Sequence, residues 1–322
     1  MIKCTVAIPV YNRVGLVEEA VESALAQDID DMEILIVDNC STDGTWELLQ
    51  KYQDPRIRLI RNEINIGLFP NFNRCLELAQ GEYLLFLCSD DVLVENCLSK
   101  EIEIMEQNSA VSILNTKGEL VDQNGNAKWP ELGQFLPGIY SGKQTIRIFF
   151  QFLSHYAHNP FNYPSGILFR TDHARSAGEF DPGMKMTGDI DFFLRILEKG
   201  DFAMVEWHGC RVRIHADQEG THLFGETSIF DELFGLWGKY EHLFNREESQ
   251  SIKNLLSAYI AGRSTQLMLK GRWEAAKIHL KMALRHSSLL RILLGLMKIS
   301  VNRFMLHIFN YKIPCCSPKC FD

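Results

Sequence analysis

The sequence lacks the signatures of several large enzyme classes. No GxGxxG run follows its first apolar strand, and no GxxxxGK[ST] occurs, which argues against a nicotinamide dehydrogenase and a P-loop ATPase. Its nine cysteines include no CxxC pair. Cys4, Cys40, Cys75, Cys88 and Cys97 fall in or beside apolar elements, as reduced buried thiols do, and Cys315, Cys316 and Cys320 have no His pair to complete a zinc site. An excess of positive charge is also missing. The formal net charge is −8, so nucleic acid is not an expected partner. No signal peptide is visible: residues 1–12 hold a short apolar run broken by Pro9, with no basic region before it. The most apolar stretch, residues 289–309, contains Arg291, Lys298 and Arg303 and makes a poor spanning helix. These absences lead to the expectation of a reduced, cytoplasmic chain, with peripheral contact to the inner face of the cell membrane as its one route to lipid.

The composition itself is that of a globular protein. The 322 residues are 46% hydrophobic and 23% charged, enough for two structural units. Charge is unevenly spread. Residues 270–322 carry ten Lys/Arg against two Asp/Glu, so the first 269 residues hold a net −16 and the tail +8. A basic tail on an acidic body points to a separate task, such as meeting a partner or an anionic membrane.

Apolar runs and helical periodicities alternate through the first hundred residues. Residues 5–10 read as a strand ending at Tyr11 and Asn12, with Pro9 at a position that needs no amide donor. Leu16, Val17, Ala20, Val21, Ala24 and Leu25 recur at helical spacing. Residues 33–38 form a second strand ending in Asp38, followed by turn chemistry at Asn39 to Gly44 and a short helix. Residues 57–60 are a third strand, 62–71 a loop and 72–79 a helix. Such alternation predicts an α/β fold with a mostly parallel sheet and helices on both faces. Right-handed crossovers then bring the strand ends to one edge.

The fourth strand, Leu84-Leu85-Phe86-Leu87, runs into Cys88-Ser89-Asp90-Asp91. Two adjacent carboxylates at the edge where α/β sheets bind ligands are costly unless compensated, and Mg²⁺ or Mn²⁺ suits such hard oxygen ligands. A solvated turn or a helix cap is the alternative. Thr187-Gly188-Asp189-Ile190-Asp191 opens a helix whose apolar face is Phe192, Phe193, Ile196 and Leu197; its acids can likewise be caps. Residues 115–162 are the least readable. Their aromatics, with Tyr163 just beyond, can stack on a sugar or simply fill a core, and Gly133, Gly138 and Gly142 fit either a closing loop or ordinary turns.

Residues 3–220 resemble the inverting, family 2 glycosyltransferases of GT-A fold, which use nucleotide-diphosphate sugars. The likeness is carried, in order, by Val6 to Asn12, Val37 to Thr45, Asn65-Ile66-Gly67 with Asn73, Gly81 to Asp91, Pro164-Ser165-Gly166, Gly178 to Asp181, Thr187 to Asp191 and Arg213-Ile214-His215. The resemblance implies that Pro9, Tyr11, Asn12, Asp38 and Asn39 border the nucleobase, with Asn65, Gly67, Asn73, Asp90 and Arg213 completing the donor site. It implies a divalent ion held by Asp91 first, then Asp90, with His215 nearby. It gives Asp189 as the catalytic base, with Asp191 as its backup or orienter. The acceptor is expected to be a glycan or a lipid-linked sugar of the cell envelope. Where the family often has a further Asp, this chain has Cys88, which we expect to stay in the core.

Beyond residue 220 the pattern is helical. Ile229, Phe230, Leu233, Phe234, Leu236, Trp237 and Tyr240 share a face, and residues 271–284 resemble half of a tetratricopeptide hairpin, one copy being no array. The expected division is therefore a GT-A-like domain over 1–220 and a helical region over 221–322. Arg291, Gly295, Lys298 and Asn302 would form a polar stripe on a broadly apolar helix, suited to a membrane interface or to docking on the protein. Two other functions are compatible with parts of the pattern. One is a nucleotidyltransferase, although the first loop lacks the glycine-rich basic character it needs. The other is an inactive sugar-nucleotide-binding scaffold, motivated by Cys88.

Overall fold

The computed structural model describes residues 2–122, 125–156, 158–215 and 228–309. The expected boundary near residue 220 and the cluster Cys315, Cys316 and Cys320 lie outside these residues. Strands β1 (Cys4–Val10), β2 (Met32–Asp38), β3 (Ile57–Arg61) and β4 (Tyr83–Phe86) alternate with helices α1 (Val17–Leu25), α2 (Thr45–Leu49) and α3 (Leu68–Leu78). They pair in parallel, with Val10 beside Asp38 and Ala7 beside Phe86. The β1–β4 pairing ends at Ala7, so Pro9 lies beyond it and its missing donor leaves no gap in that ladder.

The second half of the sheet is mixed. After β5 (Val92–Leu93), α4 (Leu98–Gln107), β6 (Val111–Val121), β7 (Ala127–Leu132), β8 (Gly138–Tyr140) and α5 (Gly142–Tyr156), the chain makes a 3₁₀ turn at Pro164–Gly166. It then enters β9 (Ile167–Arg170), which runs antiparallel between β4 and β6. Helices α6 (Thr171–Ser176) and α7 (Gly188–Leu197) lead to β10 (Asp201–Arg213), parallel to β6. The sheet order is β3-β2-β1-β4-β9-β6-β10-β5, with β7 on β6 and β8 on β10. Because β9 is reversed, it starts at the edge where β1, β2, β4 and β10 end. Residues 163–166 are thereby delivered to the same edge as the strand-end loops.

β1 and β2 are buried along their whole length, which is why they read as continuous apolar runs. Val6, Ile8, Ile34 and Ile36 pack on one face with Val17, Val21, Leu98 and Met105 of α1 and α4. Ala7, Leu35, Val37, Leu84 and Phe86 face the other way, with Phe69 and Phe72 of α3 and Phe192 and Phe193 of α7. Each fully buried large aliphatic side chain contributes roughly 1.5–3 kcal/mol. Of the aromatics in 115–162, Phe135, Phe149, Phe150 and Phe161 are core, buried and linked ring to ring. Gly142 belongs to close packing and not to a closing loop, since a Cβ there would lie 1.8 Å from the Leu197 carbonyl oxygen.

Helices α8 (Ser228–Tyr240), α9 (Arg246–Leu269), α10 (Trp273–His286) and α11 (Leu289–Phe309) follow. Asn245 and Glu248 form a reciprocal capping box at the start of α9. The core on the α3/α7 face continues into this region, where Trp237 of α8 meets Phe150 edge to face at 5.2 Å. Helix α11 docks through Ile292 and Ile299, and Gly295 sits in the seam, its would-be Cβ 2.6 Å from that of Ala258. Gly295 therefore belongs to the docked side and not to an outward polar stripe. Leu289, Leu290, Leu293, Leu294 and Met297 are left exposed on the same helix. Among the described residues, no helix is long and apolar enough to cross a membrane.

Candidate active site

Three segments distant in sequence are fastened together at the carboxyl edge. The turn after β4 presents Asp90 and Asp91. Asp91 is buried: its Oδ2 accepts from Ser165 Oγ at 2.6 Å and its Oδ1 from the Arg213 amide at 3.0 Å. Ser165 Oγ also accepts from the Cys88 amide at 3.0 Å. Asp90 Oδ2 lies 2.7 Å from His215 Nε2, and Arg213 Nε donates to the Asp90 carbonyl while its Nη2 reaches Glu19. Burial pushes the Asp91 carboxyl up to about 8, with the adjacent Asp90 charge adding to it. Cys88 packs against the core edge, and its thiol is held well above its ordinary pKa by burial and by Asp91 and Asp90. Its burial is that of a core thiol.

Asp90 and His215 are hydrogen-bonded to each other and less deeply buried than Asp91, and each oxygen of Asp91 accepts one hydrogen bond that fastens the turn. One carboxylate and one imidazole fit Mg²⁺ or Mn²⁺, which characteristically complete their shells with water and substrate phosphate oxygens. Among the described residues, no group of three or more His, Cys, Asp and Glu side chains is gathered for a metal.

The β1–β3 side of the edge is built from loops pinned by side-chain amides. Asn12 and Cys40 adopt left-handed backbone at the ends of β1 and β2. Asn12 Oδ1 accepts from the Thr42 amide at 2.8 Å, joining the two loops. Asp38 is fully buried, accepting from the Ser41 amide and pairing with Arg61 at 3.2 Å. Asn39 is the hub of the loop after β3. Its Nδ2 donates to Asn65 Oδ1 and to the Gly67 carbonyl, and its Oδ1 accepts from Asn62 Nδ2 and the Ile66 amide. Asn62 also donates to Asn71 at 2.9 Å. Gly67 holds a φ of 97°, a conformation that favours glycine. Asn73 stands apart: its amide is exchanged with the Phe180 peptide at 2.9 and 2.7 Å. Tyr11 is exposed at the rim.

Asp189 opens α7 on the other side. It is half-buried, and its Oδ1 accepts from the Ile190 amide at 2.8 Å. Burial raises its pKa to about 6, against the lowering by its backbone hydrogen bonds and with Glu232 adding to the rise. Burial raises the Tyr163 phenol, and the nearby Asp189, Asp91 and Cys88 add to that rise. Asp191 is buried elsewhere, with one oxygen 2.8 Å from Arg195 Nε and the other 2.7 Å from Lys239 Nζ. The helix start is closely packed: a Cβ on Gly188 would lie 2.5 Å from the Phe69 ring, which stacks on Phe180 and through it on Phe192.

The edge is also apolar at its rim. Among the described residues before 269, the exposed large apolar side chains are Tyr11, Val14, Ile64, Ile66, Leu68, Tyr163 and Ile214, six of them in loops and Leu68 at the start of α3. The remaining nine lie between Leu269 and Met297. Ser165 stands in a segment that carries the family likeness, but the sequence assigns no role to it, to Arg61, to Asn62 or to Asn71. The recurrence of Asn within residues 62–73 was the signal available for the amide network; Arg61 carried none.

In open α/β sheets the carboxyl edge, where these acids, the imidazole and the pinned loops gather, is the general place for ligands. The family model described as Glycosyl transferase family 2 matches residues 5–176, and the chain belongs to that family of glycosyltransferases. WcaA of Escherichia coli K12, named for colanic acid biosynthesis, is 28% identical over 252 residues, covering 75% of this chain and 82% of WcaA. TuaG of Bacillus subtilis, named for teichuronic acid biosynthesis, is 42% identical over 107 residues, covering 33% of this chain and 42% of TuaG. The chain thus spans less than half the length of TuaG. The crystal structure of S. aureus TarS 1-349 in complex with UDP-GlcNAc superposes with a TM-score of 0.62 at 17% identity, covering 94% of this chain and 89% of TarS, which establishes the GT-A fold with its helical C-terminal region.

Proposed function

We propose that this glycosyltransferase moves a sugar from a nucleotide-diphosphate donor to a hydroxyl of a glycan or lipid-linked acceptor, with inversion at the anomeric carbon. The observation that carries the reading is that Asp90, Arg213 and His215 are joined at the sheet edge near which the start of α7 presents Asp189. A UDP-sugar is the favoured donor, supported by the UDP-GlcNAc bound to TarS and by the name of Escherichia coli WfaP, a UDP-Glc:alpha-D-GlcNAc-diphosphoundecaprenol beta-1,3-glucosyltransferase. Residues Asn12, Asp38, Asn39, Asn65 and Gly67 shape the nucleotide pocket, and Tyr11 borders it.

Asp189 accepts the proton of the acceptor hydroxyl as that oxygen attacks the anomeric carbon from the face opposite the diphosphate. The new C–O bond forms as the bond to the phosphate oxygen breaks, and the nucleoside diphosphate leaves with that electron pair. Asp90 and His215 would hold Mg²⁺ or Mn²⁺, whose chemistry is to neutralise charge on the leaving diphosphate. Asp91 fixes the turn that carries Asp90 through Ser165 and the Arg213 amide. A panel of nucleotide sugars, assayed for binding with Mn²⁺ or Mg²⁺, tests the reading; failure of every donor to bind contradicts it.

The same enzyme would meet an anionic membrane through α11. Leu289, Leu290, Leu293, Leu294 and Met297 are exposed, and Arg291 and Lys298 on the same helix supply positive charge that anionic lipid attracts. A lipid-linked acceptor would then be presented at the plane where the enzyme sits. Co-sedimentation with phosphatidylglycerol vesicles should be lost on combining Leu290→Glu and Leu294→Glu; unchanged sedimentation of that variant removes this contact.

A further inference from the structure

The start of α7 is capped from outside. Thr187 stands at the N-cap position, but its side chain makes no capping bond to its own helix. Its hydroxyl donates instead to Glu232 of α8 at 2.9 Å. The same carboxylate accepts three consecutive backbone amides: Lys185 at 2.9 Å, Met186 at 3.1 Å and Thr187 at 3.0 Å. Four donors thus converge on one side chain 43 residues from Asp189 in sequence. An acid at a helix N-terminus is favourable through both the free amides and the helix dipole. A simple cap would serve stability alone, but this one holds the residues immediately before Asp189.

Two further contacts make the arrangement a clamp. One helical face of α8 presents Glu232 and, two turns on, Lys239, which pairs with Asp191 of α7. Its apolar side, with Leu233, Leu236 and Trp237, is buried in the core, so α8 cannot move independently. On the opposite side the Phe69 ring presses on Gly188. The start of α7 is therefore held between α3 and α8.

We propose that Glu232 is a positioning residue for Asp189, setting the place of the carboxylate at the cleft and tying the helical region to the reacting end of the enzyme. The proposal rests on the reading of Asp189 as the base. Among charged groups it is Glu232 from α8 that adds to the rise burial gives Asp189; Cys88 and Tyr163 are neutral neighbours, themselves raised by the Asp189 charge. Glu232 is the one that holds Asp189 toward the protonated form, so its removal should also make Asp189 a weaker base.

The test compares the full-length enzyme with Glu232→Gln, Glu232→Asp, Lys239→Met and Asp189→Asn, using Mn²⁺ and the nucleotide sugar the enzyme turns over. Glu232→Gln should lower kcat by about 10- to 100-fold, leave donor affinity within about twofold, and move the acid limb of the pH profile to lower pH. Glu232→Asp keeps the charge and should keep the acid limb near that of the parent. Lys239→Met loosens the same two helices without touching residues 185–187, and should lower the melting temperature while leaving the acid limb in place. A Glu232→Gln enzyme with the parental kcat and acid limb, while Asp189→Asn is inactive, overturns the proposal. Equal shifts of the acid limb in Glu232→Gln and Lys239→Met overturn it as well. Parental activity in Asp189→Asn overturns instead the assignment of the base.

Discussion

His215 Nε2 lies 2.7 Å from Asp90 Oδ2, joining the segment after β10 to the turn after β4 across 125 residues of sequence. In the proposed function this pair is the one that holds the cation of the diphosphate. Asp90→Asn and His215→Ala should each weaken Mn²⁺-dependent binding of UDP by about 10- to 100-fold, measured by calorimetry. Parental Mn²⁺-dependent affinity in both variants contradicts the assignment.

The pH profile follows from Asp189. A base must be ionised to accept a proton, and burial places its pKa at about 6. Activity should fall as pH drops through about 6 and stay level above it until another group titrates. A kcat/KM profile with its acid limb near the ordinary carboxylate range contradicts this placement.

The loop after β3 depends on Asn39. Asn39→Ala removes four hydrogen bonds and leaves the Ile66 amide and two side-chain amides without that partner. The cost should be about 1–3 kcal/mol in stability, read from denaturant unfolding, with a raised KM for donor. A KM equal to the parent's separates this network from the nucleotide pocket.

Glu101 offers a test of the core. It is buried on α4, its Oε2 has no hydrogen-bond partner, and burial pushes its pKa up to about 8. Between the ordinary carboxylate value and that value, the folded chain keeps a proton the unfolded chain has released. Stability therefore declines as pH rises toward about 8 and levels off beyond. Glu101→Gln should raise the melting temperature relative to the parent at pH 9 and change it little at pH 4. An equal effect at both pH values contradicts a raised pKa.

Much of this was legible in the sequence because local physics set it. Alternating apolar runs and helical periods gave β1 to β4 with their helices, and acids at strand ends pointed to one edge. The resemblance located α7 and the His215 segment. The reversal of β9 was not legible, since nothing in residues 167–170 records strand direction, which tertiary pairing sets. Nor could adjacency in sequence say which of Asp90 and Asp91 keeps a free oxygen; that depends on Ser165, 74 residues away. Glu232 reads locally as an ordinary helix surface acid, and only the fold brings it to residues 185–187. The exposed side of α11 was half-legible. Its apolarity was plain, but Gly295 joined the seam with Ala258 because a missing side chain permits close helix approach.

The most direct test is Asp189→Asn, examined for transfer and donor binding on the same preparation. The account predicts a loss of transfer of about 10²–10⁴-fold with Mn²⁺-dependent UDP-sugar affinity nearly unchanged. Transfer at the parental rate contradicts it.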